Sequence, residues 1–349
     1  MTPEHQAKLL LDRYLPLVER EIRRVLEGRP DSLLYQMIRY HLGWAAREAA
    51  PQATGDRPAS GGKRIRPILC LLACEVVGGE ASLAAPAAAG IELVHAFALL
   101  HDDVADRDEV RRAQPTVWRL WGIGQAITAG DAIYALANLA VSRLDSSRVP
   151  ATTVATVQRE LNEAALALCE GQQLDLSYEG RSDLRVGDYL EMIAGKTAAL
   201  FAAATSIGAQ IGGAAQETAE HLGRFGHHVG LAFQIRDDIL GLWGDPADLG
   251  KPVGSDLRRN KRSLPILHAV TTTEPRGELA ARLAGGVAND EEASALAAQI
   301  EDAGSRAFCE DLARESLGRA LEELAGVGLR DESVRDLRIL AGYLAERTR

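Results

Sequence analysis

Carboxylates crowded on one helical face need a counter-charge, and this sequence crowds them twice. The first cluster reads His101-Asp102-Asp103-Val104-Ala105-Asp106-Arg107-Asp108 and closes the apolar run Ile91 to Leu100. Residues three, four or seven apart share a helical face. His95, Leu99, Asp102, Asp103 and Asp106 therefore form one stripe. Three carboxylates on a stripe repel one another, and a hard divalent cation bound through oxygen offsets that repulsion. Magnesium suits the arrangement, because it takes one or two carboxylates, several waters and phosphate oxygens. The alternative is an acidic helix end that simply faces water. In the second cluster, Phe233-Gln234-Ile235-Arg236-Asp237-Asp238-Ile239-Leu240-Gly241, one face carries Gln234, Asp237, Asp238 and Gly241. Two such acidic pairs on apolar helices could meet across a bundle core, a common place for metal and cofactor sites.

Basic residues accompany both clusters. Gly61-Gly62-Lys63-Arg64-Ile65-Arg66-Pro67 precedes an apolar helix. Glycines free the backbone N–H groups there, and Lys and Arg supply charge, which makes a phosphate cradle; a basic surface turn is the alternative. Arg111-Arg112 follows the first acidic cluster, Lys196-Thr197 follows an apolar turn, and Gly250-Lys251-Pro252-Val253-Gly254-Ser255-Asp256 with Lys261 trails the second. A single surface Lys or Arg is usually only solvated. The alternation of acidic and basic clusters is more informative. A polyanion bridged by metals needs carboxylates for the metals and cations for its remaining oxygens.

The elements that must position these groups are helices. Alternating strand patterns are nearly absent, and Ala/Leu/Glu/Arg stretches with helical spacing are broken by Gly/Pro/Asp/Ser clusters. The breaks fall at Gly28–Ser32, Pro51–Gly62, Gly78–Glu80, Ser146–Pro150, Glu179–Gly187, Gly244–Ser263, Thr273–Gly277 and Gly285–Asp290. The expectation is an all-α chain of about ten to twelve helices in a single large bundle. One domain spans 1–349, with the motifs in about 40–265 and a helical remainder over 266–349.

Bulk properties narrow the partners. The chain has 349 residues, a formal net charge of −10 and 46% hydrophobic residues. An acidic balance argues against nucleic acid or an anionic membrane as a general partner. The opening MTPEHQAKLL lacks a basic stretch followed by an apolar one, so no secretory leader is expected. No integral membrane segment is expected either. The Ala-rich run Ala81 to Leu100 contains Glu92 and His95 and reads as a buried helix. Cys70, Cys74, Cys169 and Cys309 match no zinc pattern, and Cys70 and Cys74 read as buried thiols. These features point to the cytoplasm.

The motifs together resemble the trans-type isoprenyl diphosphate synthases, the polyprenyl synthetase family. The residues that carry the resemblance are Gly61–Pro67, Glu92–Arg112, Gly195–Thr197, Phe233–Asp238 and Gly250–Asp256, in that order. The likeness runs from about Tyr40 to the C-terminus. It implies an all-helical fold with a deep central cavity and a homodimer. It implies that Asp102, Asp103 and Asp106 bind magnesium bridging an allylic diphosphate, and that Asp237 and Asp238 bind a further magnesium. Lys63, Arg66, His95 and Arg112 would hold isopentenyl diphosphate. Arg111, Lys196, Lys251 and Lys261 would hold the allylic diphosphate, with Thr197 and Gln234 near the reacting carbons. The implied reaction is ionisation, condensation and elimination.

The family pattern is broken at one position: its second motif carries a third aspartate where this chain has Gly241. In the family, bulky residues just before the first motif floor the product tunnel. Phe97 beside Ala98 resembles enzymes making geranylgeranyl diphosphate, with farnesyl diphosphate second; Phe97 as plain core packing is the alternative. A terpene cyclase on the same fold would need no isopentenyl site, and a non-catalytic synthase subunit would be expected to lose its aspartates.

Overall fold

The computed structural model describes residues 2–44, 62–112, 114–179, 181, 183–244, 255–258, 261–272, 277, 279, 282–283, 286–287 and 289–347. The described elements are α1 (Pro3–Leu26), α2 (Leu33–His41), α3 (Ile65–Val76), α4 (Ala81–Ala105), β1 (Val110–Arg111), β2 (Gln114–Pro115), α5 (Val117–Trp121), α6 (Ile123–Val141), α7 (Ala151–Tyr178), α8 (Val186–Ile193), α9 (Ala199–Ile211), α10 (Gln216–Trp243), α11 (Ser255–Arg258), α12 (Leu264–Thr272), α13 (Asp290–Asp302), α14 (Ser305–Gly326) and α15 (Asp331–Glu346). A π-helical turn, Ala194–Ala198, joins α8 to α9. The fold is all-α, as expected. The short antiparallel β1–β2 ribbon, which pairs Val110 with Pro115 and Arg111 with Gln114, was not foreseen.

The chain forms two compact units. An amino-terminal unit comprises Lys8–Ala165 and Ala203–Glu220. A carboxy-terminal unit comprises Met1–Ala7, Leu166–Ala202 and His221–Arg349.

In the amino-terminal unit, α4 packs against α3 and α6. Its first ten residues are nearly all small, so neighbouring backbones approach closely. A Cβ on Gly90 would sit 2.9 Å from Val141 Cγ2 and 3.0 Å from the Ala137 carbonyl oxygen. Because α4 is apolar over most of its surface, most of it is buried from Ala84 to Leu100, with Pro86, His95 and Leu99 half-buried. Its polar C-terminal turn is where the first acidic motif emerges. In the carboxy-terminal unit, Tyr189, Ile193, Ile235, Ile239, Leu264 and Cys309 form one core cluster, which brings α8, α10, α12 and α14 together.

Two stretches, Ala81–Ala105 and Val186–Ile211, meet the length and hydropathy of a membrane span, although the sequence reading expected none. Their most apolar windows are 72% and 67% buried inside the protein, as core helices are. Cys70, Cys74 and Cys309 are buried thiols and Cys169 is an exposed one.

Candidate active site

In the amino-terminal unit the acidic stripe splits by partner. Asp103 is 2% exposed, and its Oδ1 accepts a hydrogen bond from Arg111 Nε at 2.5 Å. Burial raises its carboxyl to about 6, against the pull of Arg111. Asp103 thus fastens the ribbon to the end of α4. Asp102 and Asp106 are half-buried and keep an accessible face. The sequence reading made all three carboxylates metal ligands and gave Arg111 to the allylic diphosphate. Here Arg111 is engaged by Asp103 and lies 3.8 Å from Asp108.

The ribbon is held from several sides. Thr116 Oγ1 and Trp118 Nε1 donate to the Asp108 carbonyl at 2.7 and 2.8 Å. Tyr40 Oη donates to the Pro115 carbonyl at 2.7 Å. Arg112, at its turn, has φ 53°, a left-handed conformation that costs an ordinary residue about 1–2 kcal/mol. Strain of this kind collects at functional sites because the surroundings enforce it.

Arg112 and the basic motif form one cationic cluster. Gly62 has φ +86°, and a Cβ there would lie 2.7 Å from Arg112 Nη2. Glycine thus serves both the backbone turn and the close guanidinium. Arg66 Nη1 donates to His95 Nε2 at 3.3 Å. Burial, then Arg66, Arg112 and Arg111, hold His95 well below the usual imidazole range. A neutral His95 can accept from Arg66 without adding to the positive charge. Lys63, in the same basic motif, is exposed. Guanidiniums held this close repel one another, and an anion relieves that repulsion.

Arg64 is different. It is 3% exposed and donates to Glu19 at 2.8 Å, Glu92 at 2.6 Å and the Leu42 carbonyl at 3.2 Å. Its role is to fix the start of α3. His41, which the sequence reading missed, ties α2 to α4 through Nε2 and the Ala96 carbonyl at 2.8 Å.

Phe97 and Ala98 are buried, at 9% and 6% exposure. Phe97 meets His101 edge-on, with centroids 5.6 Å apart, and Tyr134 at 5.2 Å. Tyr134 is locked by its hydroxyl, which donates to Asn162 Oδ1 at 2.5 Å. Nothing in a one-dimensional reading links Tyr134 to Phe97.

In the carboxy-terminal unit the π turn presents Lys196 and Thr197. Gly171 on α7 and Gly195 make it possible. A Cβ on Gly171 would lie 2.1 Å from the Lys196 backbone nitrogen, and one on Gly195 would lie 2.8 Å from the Ala167 carbonyl oxygen. Lys196 Nζ reaches Asp175 Oδ2 at 2.5 Å. Thr197 Oγ1 donates to Gln234 Oε1 at 2.9 Å, and Gln234 Nε2 donates to Asp238 Oδ1 at 3.1 Å. Asp238 Oδ2 accepts from Tyr189 Oη and from the Leu264 backbone N–H. Both oxygens of Asp238 therefore accept from protein donors, in a side chain 5% exposed. The sequence reading made Asp238 a metal ligand. The structure uses it to align Gln234 and Thr197 and to start α12. Asp237, 46% exposed, is the accessible carboxylate of the pair.

The sequence reading missed Gln172, Asp175 and Tyr189. Gln172 has both amide atoms buried without a hydrogen-bond partner among the described residues, so a polar group is still owed to it. The usable signal was the Gly171-Gln172…Asp175 spacing on one helix. Lys261 is half-buried ahead of α12, and Gly241 lies in α10 one turn after Asp237. Gly61 and Lys251 lie outside the described residues.

These donors can be tested against a metal. Among the described residues no group of three His, Cys, Asp or Glu side chains could hold an ion unaided. Asp102 and Asp106 of the amino-terminal unit and Asp237 of the carboxy-terminal unit all offer oxygen. Each motif by itself fits magnesium, which needs few carboxylates when phosphate oxygens complete its shell. It does not fit a caged structural zinc.

Comparison with known proteins identifies the family. The polyprenyl synthetase family profile matches residues 52–300. The chain belongs to the polyprenyl synthetase family. Its members are prenyl diphosphate synthases, and the protein is accordingly a transferase with the all-α isoprenoid synthase fold. The chain is 40% identical over 329 residues to a (2E,6E)-farnesyl diphosphate synthase of Mycobacterium tuberculosis, covering 93% of this chain and 89% of the relative. It is 42% identical over 280 residues to a geranylgeranyl diphosphate synthase of the same organism, covering 80% and 77%. A geranylgeranyl pyrophosphate synthase from Corynebacterium glutamicum, solved in complex with isoprenyl diphosphate and magnesium, superposes with a TM-score of 0.79. It is 27% identical, and the match covers 99% of this chain and 100% of that one.

Proposed function

We propose that this polyprenyl synthetase is magnesium-dependent and condenses isopentenyl diphosphate with an allylic diphosphate to give geranylgeranyl diphosphate. The cluster of Arg66, His95 and Arg112 carries the reading. It is an anion site that a cyclase, which takes one diphosphate, has no use for. Lys63, Arg66 and Arg112 would bind the isopentenyl diphosphate, with His95 neutral so that it orients Arg66 rather than competing for charge. Asp102 and Asp106 would hold magnesium and Asp237 a further magnesium, and such ions when bound supply positive charge to the leaving diphosphate. Lys196, paired with Asp175, would meet the allylic diphosphate, and Arg111 would set the ribbon's position through Asp103. Thr197 and Gln234, joined to each other, would line the reacting carbons with oxygen dipoles. The departing diphosphate can take the proton lost in the elimination, so no side-chain base is required.

Product length is not decided by similarity, since a farnesyl and a geranylgeranyl enzyme are almost equally similar. The support is Phe97, which packs with Tyr134 as a rigid wall beside small Ala98. We also read the protein as a cytoplasmic homodimer. Ile123 and Ile127, one turn apart on α6, are 54% and 44% exposed, and Leu120 on α5 is 37% exposed, apolar surface that a second copy would cover. The test is a product assay with magnesium, isopentenyl diphosphate and dimethylallyl, geranyl or farnesyl diphosphate. The expected product is a linear twenty-carbon diphosphate, and Phe97→Ala should lengthen it. A fifteen-carbon product would correct the length. No incorporation with any primer would defeat the synthase reading and turn suspicion on Gly241.

A further inference from the structure

Arg347 follows the last helix, α15, and lies directly against the second acidic motif. Its Nη2 donates to Asp237 Oδ1. Its guanidinium carbon sits 4.3 Å from the centre of the Phe233 ring. Its backbone is fixed too, because Arg236 Nε donates to the Arg347 carbonyl at 2.7 Å. Three residues of α10 thus hold one arginine. The Arg347 side chain is only 9% exposed, against 46% for Asp237. Its Nε is buried and makes no hydrogen bond among the described residues. A buried arginine kept purely for structure would normally have that nitrogen satisfied.

The charge balance gives this contact a consequence. Asp238 already accepts protein hydrogen bonds on both oxygens. Gly241 supplies no third carboxylate. The second motif therefore offers a cation one accessible carboxylate, and that carboxylate carries a guanidinium. We propose that Arg347 is an internal counter-ion that keeps divalent cations off Asp237 until a diphosphate is present. The inference rests on Asp237 being the metal carboxylate of the second motif. A guanidinium and a metal ion compete for the same oxygen. A diphosphate gives the guanidinium other oxygens to bind and gives the metal the ligands that the motif lacks. Metal binding at Asp237 is then linked to diphosphate binding, and each strengthens the other.

The test is manganese binding to the full chain without substrate, read from the electron paramagnetic resonance signal of free Mn²⁺. If Arg347 covers Asp237 in about nine molecules of ten, the apparent dissociation constant there is raised about tenfold. Arg347→Gln should then bind Mn²⁺ about tenfold more tightly, and the gain should vanish in the Arg347→Gln/Asp237→Asn double variant. Arg347→Lys, which keeps the charge, should stay within about threefold of the parent. Unchanged or weaker binding in Arg347→Gln overturns the inference. So does equal tightening in Arg347→Lys, because the excluding agent would then not be charge. A parallel titration with inorganic diphosphate tests the underlying assignment, since Asp237→Asn should release Mn²⁺ there. If it does not, Asp237 is no metal ligand and both readings fall; if it does while Arg347→Gln changes nothing, only the counter-ion role is lost. Circular dichroism of each variant confirms that the helices are intact.

Discussion

Arg64 commits its guanidinium to three protein oxygens, while Lys63, one residue earlier, faces solvent. Replacing Arg64 with Ala would strand Glu92, a carboxylate 3% exposed, without its cation. Removing one partner of a buried pair costs about 3–5 kcal/mol, so Arg64→Ala should unfold at much lower urea or fail to accumulate. Lys63→Ala should leave the unfolding midpoint within about 0.5 kcal/mol and raise the KM for isopentenyl diphosphate. Urea titrations and steady-state kinetics on the two variants separate these effects; equal stability losses would refute the division of labour. The same distinction marks how far the sequence could be read. Helical spacing put Asp102, Asp103 and Asp106 on one stripe, and it put Asp237 and Asp238 together. It could not show that Arg111 claims Asp103 or that Tyr189 and the Leu264 N–H claim Asp238, because those donors arrive from other elements.

The helices and their breaks were legible because Gly, Pro, Asp and Ser interrupt an otherwise apolar-periodic chain. Gly28–Ser32 separates α1 from α2, and Gly78–Glu80 separates α3 from α4. The ribbon that carries Arg111 was not legible. Two residues per strand give no period to detect, and its stability comes from Tyr40, Thr116 and Trp118 rather than from strand propensity. The π turn was equally invisible, since it depends on α7 approaching within contact of its backbone. That approach yields a prediction. Gly171→Ala would drive a methyl group into the Lys196 backbone, at 2.1 Å from the nitrogen and 2.7 Å from Cα. Backbone cannot swing aside as a side chain can, so the cost should be about 1–3 kcal/mol or more, with Lys196 and Thr197 displaced and turnover lost. Gly318→Ala, in the exposed interior of α14 with nothing within 4 Å, should instead stabilise by about 0.5–1 kcal/mol. Thermal unfolding of the pair decides it. A tolerated Gly171→Ala with normal turnover would remove the close packing from the explanation of the site.

At the scale of the whole molecule, composition correctly indicated a helical chain whose apolar helices are buried, but it could not reveal how pH would act on the fold. The site crowds cations around imidazoles, and the fold must keep those rings neutral. Burial pushes the His41 ring down to about 3, and Arg111, Arg112 and Arg64 push in the same direction, against the bond to the Ala96 carbonyl. His95 is depressed for similar reasons. The unfolded chain takes up these protons near pH 6.5, whereas the folded chain resists them until far lower pH. The unfolded state therefore binds more protons throughout that window. The contribution of these rings to stability is fully present above about pH 6.5 and is lost progressively as pH falls toward about 3. Urea midpoints measured from about pH 7.5 to about pH 5 should decline steadily for the parent protein. His41→Gln cannot titrate and can still donate to the Ala96 carbonyl, so its curve should be flatter, with the remaining slope coming from His95 and from His227, His228 and His268, which burial also holds down, and opposed by the raised carboxyl of Asp103. A His41→Gln curve parallel to the parent's would show that His41 is protonated as readily in the fold as outside it, and that the tie between α2 and α4 does not depend on a neutral ring.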